Sequence, residues 1–496
     1  MFSKRSVSPG LHILRVCTAL IGSFAIAGEQ STTEHCYVEG LADRLRCGFV
    51  VVPENPVEPD GSKIKIHYAV IPAVKPLYPH EVFLAINGGP GQSTIDSAAL
   101  FNNTFSKIRE TRDILLIDQR GTGKSNLLSC PENSGHYALT MNNSSIDYAA
   151  ETQKCLDQLD ADVTMYDSIN AVEDFETIRK SLGYKKLHLY GISYGSRMAQ
   201  LYMRYYSEAV ETVTLDGVVP MQQSVLAIGM SIDRGLLVVF DQCKKDDVCD
   251  QHFSNLEKEF NALNEQLTKN PISIPIFHPS TGHPESFLIT RDKLLSILRL
   301  SMYSPSTRSL IPLAISQAKK KNYQPLLGLF SLVMDGIDLA GGMHNSVVCS
   351  EDIHRITPVM LTEIKQSYAA NSMYQAMDEV CSIWPSKKVD EDFSVPIASD
   401  IPTLLLSGFY DPATPPEWGH LAMAKMTNSV HFIAPYASHG VAFQTCGNDL
   451  IAELVDHRDI NQLSESCLTT QKSMGFFINP STRQPLSDDL SKELLP

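Results

Sequence analysis

The sequence predicts an α/β fold carrying a helix-rich insertion, and three observations predict it. Short, nearly continuous apolar runs alternate with helical patterns toward both ends of the chain. The pentapeptide Gly191-Ile192-Ser193-Tyr194-Gly195 follows one of these runs directly, at a strand-to-helix turn. From about Pro220 to Phe393 the strand patterns fade and helical spacing takes over.

The first residues read as a signal peptide, 1–27. Lys4, Arg5 and Arg15 form a basic start, Val16 to Ala27 is apolar, and Ala25-Ile26-Ala27 is a small-x-small cleavage signal. The apolar stretch is too short for a bilayer, which takes roughly 20 apolar residues. Cys17 lies behind charged Arg15, which argues against a lipid anchor. No stable membrane anchor is expected, and the localisation expected is secreted or periplasmic. The formal net charge of −15 argues against nucleic-acid binding, whose affinity comes largely from Lys and Arg on phosphates. Apart from Cys17, ten of the eleven cysteines remain, an even number that suits disulfides in an exported chain. Chain neighbours suggest Cys36–Cys47, Cys130–Cys155, Cys243–Cys249, Cys349–Cys381 and Cys446–Cys467, with the connectivity left open. There is no C-x-x-C or H-E-x-x-H spacing, so no metal and no cofactor are expected. The sequence carries no signal for oligomeric state.

Strands are expected at Lys63–Ile71, Val82–Ile86, Asp113–Asp118, Lys186–Tyr190, Thr212–Leu215, Thr403–Gly408 and Val430–Ala434. The first alternates polar and apolar like a half-exposed antiparallel strand; most of the others read as buried parallel strands. A helix fits Asn170–Leu182, stopped by Gly183. In the middle, Leu256, Phe260, Leu263 and Leu267 recur at helical spacing, and further helices fit Asp292–Met302, Leu310–Lys321 and Pro358–Glu379. The organisation expected is a core in two parts, 28–219 and 396–496, separated by a helical cap, 220–395.

Ser193 is the expected nucleophile. A serine held in a tight turn between strand and helix is exposed above the sheet edge, and side chains at the flanking glycine positions would clash. A hydroxyl needs a base. Asp411 follows the strand Thr403–Gly408, a helix of about Pro415–Met426 comes next, then the strand Val430–Ala434, then His439. One β-α-β unit therefore brings Asp411 and His439 to the carboxyl ends of neighbouring strands, where open α/β sheets bind ligands. His439 is the expected general base and acid, and Asp411 the carboxylate that orients it. An aspartate before proline is also a common turn former. His431 lies within a strand and His420 in the helix, which suits packing roles. The expected oxyanion hole is made by the N–H groups of Tyr194 and of Gly89 in Asn87-Gly88-Gly89-Pro90-Gly91, with Gly88 second, since Pro90 cannot donate. Asp118-Gln119-Arg120-Gly121-Thr122-Gly123-Lys124-Ser125 lacks the first glycine of a phosphate loop and reads instead as a structural loop beside the site.

These motifs, N-G-G-P-G, D-Q-R-G-T-G-K-S, G-I-S-Y-G, G-F-Y-D-P-A-T-P-P and S-H-G in this order, resemble those of the prolyl aminopeptidase family of α/β-hydrolases. Val348-Cys349-Ser350-Glu351 and Cys381-Ser382-Ile383-Trp384-Pro385 resemble cap motifs of its larger, tripeptidyl aminopeptidase-like branch. The resemblance implies the α/β-hydrolase fold and a metal-free serine exopeptidase that removes one or a few residues from peptide N-termini. Carboxylesterase and serine endopeptidase are the alternatives open to the same triad. Asn87 stands where smaller members usually have His, and Glu351 where the larger branch often has Asp. An aminopeptidase must hold a free ammonium group, and Glu351, with Asp352 as alternate, is the expected carboxylate. The competing expectation is that these residues form a solvated helix start.

Overall fold

All seven expected strands enter one nine-stranded sheet, and two more precede them. The computed structural model describes residues 33–130, 145–277, 282–334, 339–470, 473–480 and 482–483. The expected signal peptide lies outside these residues. The strands of the sheet are β1 (Glu34–Cys36), β2 (Leu45–Pro53), β3 (Lys63–Ile71), β4 (Glu81–Ile86), β5 (Asp113–Ile117), β6 (Lys186–Ile192), β7 (Val210–Asp216), β10 (Thr403–Gly408) and β11 (Ser429–Ala434). Their order is β1-β2-β3-β5-β4-β6-β7-β10-β11. Pairing is antiparallel from β1 to β5 and parallel from β5 to β11. Sequence analysis missed β2 because Gly48 interrupts its pattern. That glycine is required by its neighbour: a Cβ there would lie 2.4 Å from the Tyr68 hydroxyl on β3.

The parallel strands β4 to β7 and β10 are buried on both faces, which is why they read as continuous apolar runs, while the edge strand β11 is half-buried. Val82, Leu84 and Ile86 of β4 face one core with Phe175 and Ile178 of the helix Ser168–Ser181 and Met198 and Leu201 of the helix Tyr194–Tyr206. Phe83 and Ala85 face the other, with Phe101, Phe105 and, from the helix Gly447–His457, Ile451. The two-residue period of β structure splits one run between two cores.

Between β7 and β10 the chain leaves the sheet and builds a third apolar core. This insertion is not purely helical: β8 (Ile272–Phe277) and β9 (Pro284–Ile289) form an antiparallel hairpin. The longest helix among the described residues, Ile228–Lys245, escaped the sequence analysis, diluted by Gly229 and Gly235. Gly229 is a close-packing position, since a Cβ there would lie 2.3 Å from Ala370 Cα. The single helix expected over Pro358–Glu379 is two, Pro358–Gln366 and Ala370–Ile383. Ser367 is extended at the break, its hydroxyl accepts from Ala370 N (2.8 Å), and Asp233 accepts from Tyr368 N (2.6 Å). Side chains thus capture the N–H groups that a continuous helix would have used.

All five cysteine pairs suggested by chain neighbours are bonded. Cys349–Cys381 ties the helix Gly341–Glu351 to Ala370–Ile383. Among the described residues no helix is long and apolar enough to cross a membrane.

Candidate active site

Ser193 occupies the one-residue turn between β6 and the helix Tyr194–Tyr206, with φ +57° and ψ −127°. The left-handed φ is strained for a residue with a side chain, and its surroundings hold it there. Ser193 N donates to Asp216 O (2.9 Å), and Ser193 O accepts from Ser196 Oγ (2.6 Å). The flanking glycines have no room for a side chain. A Cβ at Gly191 would lie 2.2 Å from Gly195 O, and one at Gly195 2.4 Å from Ile86 O.

Asp411 is fully buried just beyond β10 and is both a turn former and a partner for histidine. Oδ1 accepts from Ala413 N (2.8 Å) and Thr414 N (2.9 Å). Oδ2 accepts from Thr414 Oγ1 and stands 2.8 Å from His439 Nδ1. A bond from Nδ1–H fixes the tautomer and leaves Nε2 free to accept a proton. Burial pulls the imidazole pKa down, but the Asp411 charge and hydrogen bond outweigh it and hold the ring above the ordinary histidine value. Ser193 and His439 line one cavity of about 420 Å³, together with Gly88 and Gly89.

Gly89, at φ +110°, lines that cavity with its backbone. Gly88 N donates to Asn87 Oδ1 (3.0 Å), so its N–H is already engaged. Tyr194 begins its helix, where backbone N–H groups lack intrahelical acceptors. Its ring is buried away from the cavity, with its hydroxyl 2.6 Å from Ser168 Oγ and accepting from Gln119 Nε2 (3.0 Å). The Asp118 loop beside the site is internally tied. Asp118 accepts from Ser93 Oγ, Ile95 N and Lys124 N at 2.8–3.2 Å, and Arg120 forms a buried two-pronged pair with Asp174.

The amine-binding expectation needs correction. Glu351 and Asp352 end the helix Gly341–Glu351 rather than start one, and both are fully buried. Glu351 Oε1 accepts from Ser168 N (2.7 Å) and Oε2 from Ser168 Oγ (2.8 Å). Asp352 accepts from Arg197 Nη1 (2.9 Å) and Nη2 (3.0 Å), from Arg355 Nη2 (3.1 Å) and from Val225 N (2.8 Å). Neither lines the Ser193 cavity or the cavity beside it. Acids at a helix C-terminus oppose the dipole, and here Arg197 and Arg355 offset that cost. Their oxygens already have internal donors, so they join the insertion to the Ser193 helix.

Three residues near Ser193, Asp411 and His439 were not foreseen. Asp216, at the end of β7, accepts from Tyr190 Oη, Val441 N and Ala442 N at 2.8–2.9 Å, and its charge favours the protonated form of His439. Its signal, an acid at the carboxyl end of a strand before Gly217, is of the kind that marked Asp411 just beyond β10. Tyr303 packs edge-on against the His439 ring, 4.9 Å between centroids. Arg308 is buried behind the histidine loop, where it bonds Ser438 Oγ, donates to Tyr436 O (3.1 Å) and stacks on Tyr410. Burial lowers the Arg308 guanidinium to about 10. His431 bonds Ser407 Oγ (2.9 Å) within the sheet and takes no part in the site.

A family model described as alpha/beta hydrolase fold matches residues 81–235, which hold the strand–Ser193–helix turn. The chain has the α/β-hydrolase fold. A second model, described as TAP-like protein, matches residues 366–467, the stretch containing Asp411 and His439. Serine protease Hip1 of Mycobacterium tuberculosis is 23% identical over 445 residues, which cover 82% of this chain and 84% of that one. A tripeptidyl aminopeptidase of Streptomyces lividans is 25% identical over 229 residues, 43% of this chain and 42% of that one. Among solved structures, a proline iminopeptidase of Mycobacterium smegmatis superposes with a TM-score of 0.37 at 11% identity, covering 83% of this chain and 99% of the other.

Proposed function

We propose that this serine hydrolase is a serine peptidase acting through an acyl-enzyme on Ser193. The observation that carries the reading is the buried Asp411–His439 bond of 2.8 Å, with Ser193 on the same cavity as His439. His439 Nε2 takes the Ser193 proton as Oγ attacks the scissile carbonyl. The Gly89 and Tyr194 N–H groups receive the oxyanion. The tetrahedral intermediate collapses, His439 passes its proton to the leaving amine, and the acyl group stays on Ser193 as an ester. Water, deprotonated by His439, then attacks the ester and releases the new carboxylate and Ser193.

The finer reading is an exopeptidase that releases short N-terminal pieces, acting outside the cytoplasm. Names among the relatives and a second cavity of about 390 Å³ under the insertion support it. This cavity shares Gly89 with the first. Since Glu351 and Asp352 are occupied, Asp292 is the carboxylate left to meet a substrate ammonium; among the described residues lining the two cavities it is the one acid. The five disulfides suit an oxidising compartment. A panel of aminoacyl, dipeptidyl and tripeptidyl chromogenic amides, each free and N-acetylated, with matched acyl esters, tests this. Cleavage of free-amine peptides with loss on acetylation is expected. Equal cleavage of acetylated peptides would move the assignment to an endopeptidase, and cleavage of esters alone to a carboxylesterase.

A further inference from the structure

Arg299 stands where the two cavities meet and lines both of them, with Gly89 and Leu339. Its bonding is incomplete. Nη2 donates to Tyr303 Oη (3.2 Å), while Nε is buried and has no partner. Among the described residues Arg299 forms no ion pair, whereas buried Arg120 and Arg197 each grip a carboxylate with both prongs. The charge of Arg299 is felt by His439 on one side and by His344 on the other, which fits a position between the cavities. A guanidinium taken partly out of water without a counter-ion is destabilised until an anion supplies the missing acceptors. Its planar fork fits a carboxylate in a way an ammonium does not.

We propose that Arg299 selects substrates with an acidic side chain within the first two residues on the acyl side of the scissile bond. The proposal rests on Ser193 being the nucleophile of a peptidase. A carbonyl whose oxygen sits at Gly89 has its acyl chain leading into the second cavity, and Arg299 borders that passage beside Gly89. A Glu or Asp side chain there supplies acceptors to Nε and Nη. The rival role is purely structural, with Arg299 holding Tyr303 against His439.

The test uses the full chain and matched peptide amides carrying Glu or Gln at the first or second acyl-side position, with the corresponding esters in parallel. Wild type is expected to favour Glu by about tenfold to a hundredfold in kcat/KM at one of the two positions, the scale of a charge-assisted contact. Arg299→Gln should bring the Glu/Gln ratio to within about threefold, and Arg299→Lys should keep part of the preference. Arg299→Glu should favour Lys at that position. A wild-type ratio near one overturns the proposal, as does an Arg299→Gln variant that loses Glu and Gln substrates equally, which would give Arg299 the Tyr303-holding role. If no amide is cleaved, the peptidase reading fails on its own, and the ester pairs still report whether Arg299 sets a charge preference.

Discussion

At His439 two opposing forces set the protonation state of the ring. Burial disfavours the imidazolium, and the Asp411 charge at 2.8 Å favours it more, so the folded pKa lies above the ordinary 6.5. The base must be neutral, so kcat/KM should fall as pH drops through a limb above 6.5. Asp411→Asn removes the charge and should move that limb to lower pH, with a loss in kcat on the order of 10⁴, the cost of the same change in a well-studied serine protease. A pH–rate profile with an unmoved limb in this variant would contradict the pairing. Ser193→Ala should leave the thermal transition near that of wild type and remove nearly all turnover, a loss on the order of 10⁶ by analogy with triad knockouts. Retention of a tenth of wild-type turnover would remove Ser193 from its role. That Ser193, Asp411 and His439 come to one edge of the sheet was legible because each follows a strand end in a fixed order along the chain. The partners of Glu351 were not, because Ser168 and Arg197 lie more than 150 residues away in sequence and meet it only through packing.

Among the elements, the turn at Ser193 tolerates no side chain at Gly191. A Cβ there would lie 2.2 Å from a backbone oxygen that the helix start cannot move. Gly191→Ala should cost about 2–4 kcal/mol of stability and abolish turnover, measured by denaturant unfolding and by active-site titration with a serine-directed phosphonate. The disulfide Cys349–Cys381 closes a loop of 32 residues in sequence separation. Replacing both cysteines with Ser should destabilise by roughly 3–4 kcal/mol in the chain-entropy model, seen as a lowered unfolding midpoint without loss of the core strands from the circular dichroism spectrum. Parallel strands buried on both faces announce themselves as unbroken apolar runs, so β4 to β7 and β10 were legible. The hairpin of β8 and β9 was not, since its outward residues are mixed and it borders a helix-rich stretch. The break at Ser367 depends on Asp233, on another helix, and no local pattern encodes it.

Across the whole molecule, the core and the insertion are joined by buried charge. Arg197 on the Ser193 helix holds Asp352 and Glu351 at the end of an insertion helix. Burial raises the Glu351 carboxyl to about 7, against 4.5 for an exposed glutamate. A raised carboxyl favours the fold fully below pH 4.5, and this contribution is lost as pH rises through 7. The difference in Tm between wild type and Glu351→Gln, followed from pH 4.5 to 7.5, should therefore shift in the variant's favour as pH rises; a constant difference would show that Glu351 does not titrate in this window. The strand patterns stop after β7 and resume at β10, but the dependence of the stretch between them on the core was not readable, because those contacts lie far apart in sequence. Tyr303 and Arg308 come from the insertion, yet one packs on the His439 ring and the other grips Ser438 and Tyr436 from behind. The insertion is therefore not an interchangeable module. A chimaera that grafts the corresponding segment of a relative onto this sheet should bind substrate according to the donor but turn over poorly, until the tyrosine and the arginine are transplanted back with it.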